Sequence, residues 1–204
     1  MSGYWDEAYR SGLYRKQWDH GDASQEIATC AALGIFPRNG VILDVGCGSG
    51  SDAVFLATMG FQVKALDISA KALDLVEEKA AKAGVKVETV HSSATKMPIE
   101  DASIDFALDR GLLHNLSDTE GSTYALELAR VLKQGGQLLL RGARKSEFNQ
   151  GGADINFNPI TEERIDRTFP SELFAKGSVI PITMISDAET DPTLEGAIVI
   201  IRRK

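Results

Sequence analysis

The fold of this chain is decided by the segment VILDVGCGSG, which occupies residues 41–50. Its first half is a run of branched apolar side chains broken by a single acid, and such runs are typical of strands buried in a parallel sheet. Its glycines allow a sharp turn and a close approach of the backbone to a ligand. Because open α/β sheets bind ligands at the carboxyl ends of their strands, the segment predicts a buried strand that ends in a ligand-binding loop.

Predicted strands and helices alternate on both sides of this segment. Apolar runs predict further strands at residues 61–66, 86–90, 104–108 and 137–140, and helical spacing and caps predict helices at 23–34, 52–59, 70–83 and from the capping box at 117–120 to about residue 133. A short helix from 159–161 to about 169 follows, and then two strands near 179–185 and 197–201, which the short loop between them makes antiparallel. We therefore predict an α/β fold: a doubly wound, Rossmann-like sheet of seven strands, with five parallel strands, a C-terminal antiparallel hairpin and helices on both faces.

The composition limits the classes of function. The 204 residues suit one domain, which we divide into an N-terminal segment, residues 1–22, and a Rossmann-like core, residues 38–204. A net charge of −7 without a long basic run predicts no nucleic-acid partner. No apolar stretch has the length needed to span a membrane, and two cysteines without an export signal favour the cytoplasm. The oligomeric state is left open.

Two acids accompany the glycine loop. Asp44 precedes Gly46 by two residues, and Asp67 ends the second predicted strand, 21 residues after Gly46. An acid at that strand end accepts hydrogen bonds from the hydroxyls of a ribose. A nicotinamide dinucleotide is one candidate ligand, but its fingerprint requires glycine or alanine where Ser51 stands, and Asp44 would repel a pyrophosphate. A carboxylate suits a ligand with cationic groups, which favours S-adenosylmethionine, with its ammonium and sulfonium, as the cofactor.

From about residue 38 to the C-terminus the chain resembles the class I S-adenosylmethionine-dependent methyltransferases. The resemblance rests on four motifs in the family's order: the glycine segment 41–50, the acid Asp67, the stretch DFALD at 105–109, and the Leu-Lys-x-Gly-Gly turn at 132–136. It implies a Rossmann-like fold and methyl transfer from S-adenosylmethionine.

The same resemblance assigns the cofactor contacts. It implies that Gly46, Cys47 and Gly48 line the methionine part of the cofactor. Asp44 is then the anchor of the loop or of the cofactor's amino group, and Asp67 holds the ribose. The remaining implied contacts are Ile68 after the ribose acid, Ser93 and Ala94 in the adenine pocket, and Asp109 after the fourth strand. Many relatives have an aspartate where Ser93 stands, and a serine hydroxyl can also accept a hydrogen bond.

Two short stretches are similar to those of thiopurine and thiol methyltransferases. They are DRGLLH at 109–114 and WDHG at 18–21, and in that group the second stretch is part of a lid over the cofactor. On this resemblance Trp18 joins the predicted cofactor contacts. The aromatic side chains of residues 4–18 either cap the site or form a helix face packed on the domain. The polar segment 143–158 is a candidate substrate loop.

Three residues are candidates for the acceptor side of the site. His114 is a candidate general base because imidazole titrates near neutral pH, and the alternative is a structural histidine that caps the next helix or packs beneath the lid. Arg110 and Arg141 are candidates for binding an anionic substrate, and the alternative is pairing with nearby acids. His20 and His91 have no context that supports a role.

The donor sets the chemistry that the protein must supply. A sulfonium already carries a good leaving group, so the sequence predicts neither a protein nucleophile nor a metal. The protein must hold acceptor, methyl carbon and sulfur in line and exclude water. With a single candidate base, we expect a small-molecule acceptor that is soft or already anionic, such as a thiol. The alternatives are a protein that binds the cofactor without turnover and a nicotinamide-dependent oxidoreductase.

Overall fold

The computed structural model describes residues 2–16, 18–19, 21–144, 147–150, 153–156, 158–185 and 193–204, so that His20 lies outside the described residues. The helices are α1 Ser2–Ser11, α2 Gln25–Ala32, α3 Ser51–Thr58, α4 Ala70–Ala83, α5 Asp118–Val131 and α6 Glu162–Thr168. No helix in these ranges combines the length and apolar character that crossing a membrane requires.

The strands form one large sheet and one small hairpin. They are β1 Val41–Val45, β2 Gln62–Asp67, β3 Glu88–His91, β4 Ile104–Arg110, β5 Leu132–Ala143, β6 Glu147–Gln150, β7 Ala153–Asn156, β8 Phe174–Lys176, β9 Ile180–Ile185 and β10 Thr193–Arg203. The large sheet has the order β3-β2-β1-β4-β5-β10-β8, and β9 also pairs with β10. Strands β1 to β5 are parallel, and β10 is antiparallel to β5.

Two strand segments share one position at the edge of this sheet. β8 pairs with residues 201–203 of β10, and β9 pairs with residues 193–198 of the same strand. The sheet therefore has eight segments in seven positions. The predicted class of fold, with five parallel strands and an antiparallel C-terminal hairpin, is confirmed.

Apolar side chains alternate between the two faces of the sheet because successive residues of a strand point in opposite directions. Leu43 and Val45 of β1 pack in the cluster that contains α5 and α6. Ile42 packs in the cluster on the other face, which contains α2, α3 and α4. Tyr9 and Tyr14 form a third, small cluster against Ala72 of α4. The N-terminal segment thus packs on the outside of α4, beside the carboxyl ends of the parallel strands.

Residues 2–11 form a helix that packs on α4, which agrees with one of the two alternatives left open for this segment. Two local predictions need correction. Helix α5 ends at Val131 rather than near residue 133, because Leu132 is already extended and begins β5. The segment 143–158 is not an irregular loop throughout, since β6 and β7 within it form an antiparallel hairpin. Residues 145–146, 151–152 and 157 of that segment lie outside the described residues.

Candidate active site

The glycine loop is fixed to the end of β2 by backbone hydrogen bonds. Gly46 N and Cys47 N both donate to Leu66 O, at 2.8 and 3.0 Å. Gly48 N donates to Asp67 Oδ2 at 2.9 Å. These contacts hold the predicted methionine side of the site against the predicted ribose acid.

Gly46 and Gly48 occupy positions in the loop that are unfavourable for any other residue. Gly46 and Gly48 have φ angles of +69° and +55°, in the left-handed region that favours glycine. A Cβ atom on Gly46 would lie 3.1 Å from Cβ of Leu112, and one on Gly48 would lie 2.6 Å from the hydroxyl oxygen of Tyr9. The loop is therefore covered from two sides, by the turn after β4 and by the N-terminal segment.

Asp67 is well placed for a ribose but is not free of other contacts. It is 6% exposed, and its Oδ1 accepts from Ser69 N at 2.8 Å. Each carboxylate oxygen retains a further lone pair, so that bonds to a ligand can be added. Burial raises the pKa of Asp67, and the hydrogen bonds from the backbone of Ser69 and Gly48 act in the opposite direction. Ile68 follows at the same strand end, and its carbonyl lies 3.1 Å from Nε2 of His91.

The predicted adenine side lies next to this strand end. Ser92 N donates to Asp67 O at 3.0 Å, which places Ser93 and Ala94 beside β2. Thr95 N donates to the hydroxyl of Ser93 at 3.2 Å, and the Ser93 and Thr95 hydroxyl oxygens are 2.8 Å apart. The Ser93 hydroxyl therefore forms hydrogen bonds within its own turn and is not kept available for an adenine amine.

Asp44 is a buried carboxylate at the end of β1. It is 3% exposed, and no described residue donates a hydrogen bond to it. Burial, followed by repulsion from Asp52, raises the pKa of Asp44 to about 8, and Arg110 opposes this rise. Unpaired charges are costly in a protein interior. A cationic ligand above the loop would supply the missing partner, which is how the described residues fit S-adenosylmethionine.

Asp109 organises the turn after β4. Its Oδ1 accepts from Leu112 N at 2.8 Å, and both oxygens lie within 3.3 Å of Leu113 N. Burial raises the pKa of Asp109 to about 6, and these backbone donors oppose that rise. Because the side chain is 1% exposed, the structure favours a role in shaping the turn that places Leu112 on Gly46 over the predicted direct contact with the cofactor.

His114, the candidate base, is held in place as a hydrogen-bond acceptor. Ala143 N donates to its Nδ1 at 2.8 Å, and the side chain is 9% exposed. Burial, with the charges of Arg141 and Arg164, lowers the pKa of His114 to about 3. In the neutral ring the remaining proton is then on Nε2, so that neither nitrogen is ready to take up a proton from an acceptor. This geometry favours the structural alternative, and the general-base role stays a prediction.

The two arginines at the ends of β4 and β5 are paired with acids. Arg110 Nε lies 2.6 Å from Asp52 Oδ2, and Arg141 Nε lies 2.5 Å from Glu26 Oε1, although the second pair lacks hydrogen-bond geometry. Arg110 and Arg141 are paired with each other across β4 and β5. Their charges are thus balanced within the protein. This pairing favours the structural alternative, and binding of an anionic substrate by these arginines stays a prediction.

The N-terminal segment closes over the glycine loop. Trp18 Nε1 lies 3.4 Å from the hydroxyl oxygen of Tyr9, the residue that covers Gly48. Asp6 Oδ1 accepts from the Ser69 hydroxyl at 2.6 Å and so reaches the start of α4. Trp18 reaches the loop through Tyr9, and its role as a cofactor contact stays a prediction.

Asp19 makes the strongest link between this segment and the loop. It is 7% exposed and accepts from the hydroxyls of Ser49 and Ser51, the latter at 3.1 Å. Lys79 Nζ lies 3.6 Å from Asp19 Oδ2 and donates to Ser51 Oγ at 3.0 Å. The sequence analysis did not single out Asp19 as a site residue, although it lies inside the WDHG stretch. Its partners become neighbours only in the folded chain.

Comparisons with known proteins agree with this geometry. Residues 42–136 match the model of a family described as a methyltransferase domain. The 27-O-demethylrifamycin SV methyltransferase of Amycolatopsis mediterranei (strain S699) is 33% identical over 144 residues, which are 66% of this chain and 52% of that protein. The chain spans about half the length of the curated relatives it matches.

Two solved structures share the whole fold at low sequence identity. The structure titled "Conversion of a Disulfide Bond into a Thioacetal Group during Echinomycin Biosynthesis" has a TM-score of 0.86 and 20% identity, and the alignment covers all of this chain and 92% of that one. The 1,6-didemethyltoxoflavin-N1-methyltransferase of Burkholderia thailandensis, with its substrate and S-adenosylhomocysteine bound, has a TM-score of 0.73 and 21% identity over 100% and 87% of the two chains.

The family match of residues 42–136 and the topology of the sheet agree with the class I methyltransferase domain expected from the sequence. The matching family model and a relative named a probable S-adenosylmethionine-dependent methyltransferase agree with the enzyme class and cofactor expected from the sequence. The narrower likeness to thiopurine and thiol methyltransferases is not confirmed by these comparisons.

Proposed function

We propose that the whole chain is one catalytic domain that transfers the methyl group of S-adenosylmethionine to a small molecule. The observation that carries the proposal is the buried carboxylate of Asp44 beneath the glycine loop, to which no described residue donates a hydrogen bond. Ionisation of such a group is unfavourable without a cation nearby, so a cationic ligand is bound more favourably beside it than a neutral one. When bound, the cofactor supplies an activated methyl group on a sulfonium.

The residues of the chain position this group and do not react with it. Asp67 binds the ribose, and the narrow space at Gly46 and Gly48 admits the methionine part close to the backbone. The acceptor's lone pair forms the new bond to the methyl carbon, while the carbon–sulfur bond breaks and its electron pair stays on sulfur. Holding the three atoms in line can lower the barrier by roughly 7–11 kcal/mol.

We further propose that residues 1–22 form a lid on the core of residues 38–204. The contacts of Tyr9 with Gly48 and of Asp19 with Ser49 and Ser51 support this assignment, because both join the segment to the cofactor loop. A closed lid excludes water from the sulfonium and completes the acceptor pocket.

The proposed acceptor is a soft nucleophile, with a thiol as the preferred class. A thiol with a pKa near 8.5 is partly ionised at neutral pH and needs no strong base. The lowered pKa of His114 therefore favours sulfur over a phenol or an alcohol. The likeness of residues 109–114 to thiol methyltransferases supports the same class. Because Arg110 and Arg141 are already paired, the negative charge is expected on the reacting atom and not on a distant carboxylate.

The test is a screen for product formed from the cofactor. The purified protein is incubated with S-adenosylmethionine and, separately, with a neutral thiol, a carboxylated thiol, a phenol and a halide, and S-adenosylhomocysteine is quantified by chromatography. We expect thiol-dependent product, with the neutral thiol at least as active as the carboxylated one, and none from the Gly48→Val variant. Binding of the cofactor without product from any acceptor would instead support a binding protein.

A further inference from the structure

The described charged groups around Asp44 do not balance its negative charge, and this imbalance indicates the charge of the ligand. Asp44 lies in the middle of the sheet, with Ala65 and Leu108 as its partners in β2 and β4. Among the described residues, the cation that acts on it is Arg110, and the guanidinium of Arg110 is already 2.6 Å from Asp52. When Asp44 is ionised, this group of three side chains carries one negative charge in excess.

The other groups that face Asp44 do not supply a positive charge. They are Asp52 from α3, Asp67 from β2, Asp109 from β4, the thiol of Cys47 in the loop and the phenol of Tyr124 in α5. Asp67 and Asp109 differ from Asp44 in that backbone N–H groups stabilise their ionised forms. The excess charge at Asp44 is therefore relieved either by a proton on its carboxyl or by a cation bound above it.

The two forms of the cofactor differ in this respect. At neutral pH S-adenosylmethionine has a net charge of +1, because its sulfonium adds to the balanced ammonium and carboxylate. S-adenosylhomocysteine has lost the sulfonium charge and is a neutral zwitterion. Methyl transfer thus removes one positive charge from the neighbourhood of Asp44.

We infer that Asp44 discriminates the methyl donor from the demethylated product by exchanging a proton: it is ionised when the donor is bound and protonated when the product is bound. This inference rests on the proposed binding of S-adenosylmethionine. Binding of the donor releases the proton from the Asp44 carboxyl to solvent, and conversion of the donor to product draws a proton back. At higher pH the product then faces an ionised Asp44 without its cation, which favours release of the product over release of the donor.

The raised pKa of the Asp44 carboxyl agrees with this inference, because burial and Asp52 hold the pKa at about 8 without a ligand. Between pH 6.0 and 7.5 the ionised fraction of such a group rises by about 20-fold. The α-amino group of the ligands stays mostly protonated in this range, so that the change belongs to the protein.

The experiment measures affinities for S-adenosylmethionine and S-adenosylhomocysteine by isothermal titration at pH 6.0 and 7.5, in two buffers with different ionisation enthalpies. We expect donor affinity to rise by about 10- to 30-fold with pH, with close to one proton released per donor bound at pH 6.0. Product affinity should change by less than about threefold. The proton count uses the wild-type protein, so it does not depend on any variant folding.

Two variants separate Asp44 from the other acids. Asp44→Asn should remove the pH dependence of donor binding and bring the two ligands to similar affinity. Asp67→Asn, whose parent carboxylate is hydrogen-bonded to the backbone, should weaken both ligands and keep their ratio dependent on pH. Parallel changes of both affinities with pH, or donor binding without proton release, would overturn the inference. If neither ligand binds the wild type, the proposed function itself has failed.

Discussion

Replacing Asp19 with alanine should uncouple the N-terminal segment from the cofactor loop. Its carboxylate accepts from Ser49 and Ser51 and lies 3.6 Å from Lys79, and no other described residue in the segment reaches the start of α3 with a charged group. The substitution leaves the two hydroxyls without this acceptor and removes the carboxylate beside the Lys79 ammonium. The fold of the sheet does not depend on this contact.

The size of the effect follows from the number of contacts that are lost. A hydrogen bond to a charged group contributes about 1.5–3 kcal/mol, and removal of the two hydroxyl contacts should weaken docking by about 3 kcal/mol in total. This change shifts the docking equilibrium by about 150-fold. If cofactor binding requires the docked segment, the apparent affinity falls by up to the same factor.

Intrinsic fluorescence provides a direct assay. The chain has two tryptophans, Trp5 and Trp18, and both lie in the N-terminal segment, where their rings are 5.7 Å apart. We expect the emission of Asp19→Ala to shift to longer wavelength without ligand and to return at saturating S-adenosylhomocysteine. The matched control is Asp22→Ala, which removes an exposed acid three residues along the chain.

Hydrogen exchange with and without S-adenosylhomocysteine locates the same change in the backbone. Residues 2–16 should exchange faster in Asp19→Ala than in the wild type and become protected when the ligand binds. If Asp19→Ala matches the wild type in emission, exchange and ligand affinity, then Asp19 does not couple the segment to the loop, and the segment is a permanent part of the domain.

Three further substitutions test the site. Asp67→Ala should weaken cofactor binding by about 1.5–3 kcal/mol in a titration, because hydrogen bonds to the ribose are lost, and an unchanged dissociation constant would show that another acid holds the ribose. Gly48→Ala should abolish binding, since its Cβ would lie 2.6 Å from the hydroxyl of Tyr9, whereas Gly60→Ala, also at positive φ but with open space around it, should bind normally. Burial lowers the pKa of His114 to about 3. Below pH 6.5 the unfolded chain therefore binds a proton at this residue that the folded chain does not bind. The free energy of unfolding measured in urea should then fall, as the pH decreases, by up to about 1.4 kcal/mol per pH unit. His114→Asn, which keeps an acceptor for the Ala143 N–H group, should reduce this slope and retain activity; loss of activity with unchanged stability would restore the general-base interpretation.

The sequence predicted the parts of the structure that depend on local pattern. The helix at 70–83 and the capping box at Ser117 appear where spacing and caps placed them, because both signals are contained within a few neighbouring residues. The order of the parallel strands follows from the alternation of strands and helices. The glycine loop was predicted correctly for the same reason, since its turn and its approach to β2 are properties of one short segment.

The roles of the charged residues could not be predicted in this way. Arg141 pairs with Glu26, which is 115 positions earlier in the chain, and no local pattern indicates such a partner. The same holds for Asp19 and Ser49, whose contact depends on how the N-terminal segment lies across α4. The tautomer of His114 depends on one backbone N–H group of β5, and its lowered pKa depends on burial and on the charges of Arg141 and Arg164. In each case the residue type was informative, and the tertiary neighbours decided what the residue does.

The charge distribution at the carboxyl ends of the strands links these observations to function. On the acceptor side, each arginine at a strand end has its own acid, so the protein needs no ligand there to balance its charge. On the cofactor side, no described residue forms an ion pair with Asp44, and the interior around it holds further acids. Because a buried charge is stable only beside its opposite, the first side tolerates a neutral acceptor, and the second is stabilised either by a proton on Asp44 or by a bound cation. A ligand that carries its positive charge between the two sides satisfies both conditions, and a sulfonium held between the glycine loop and the acceptor is such a ligand.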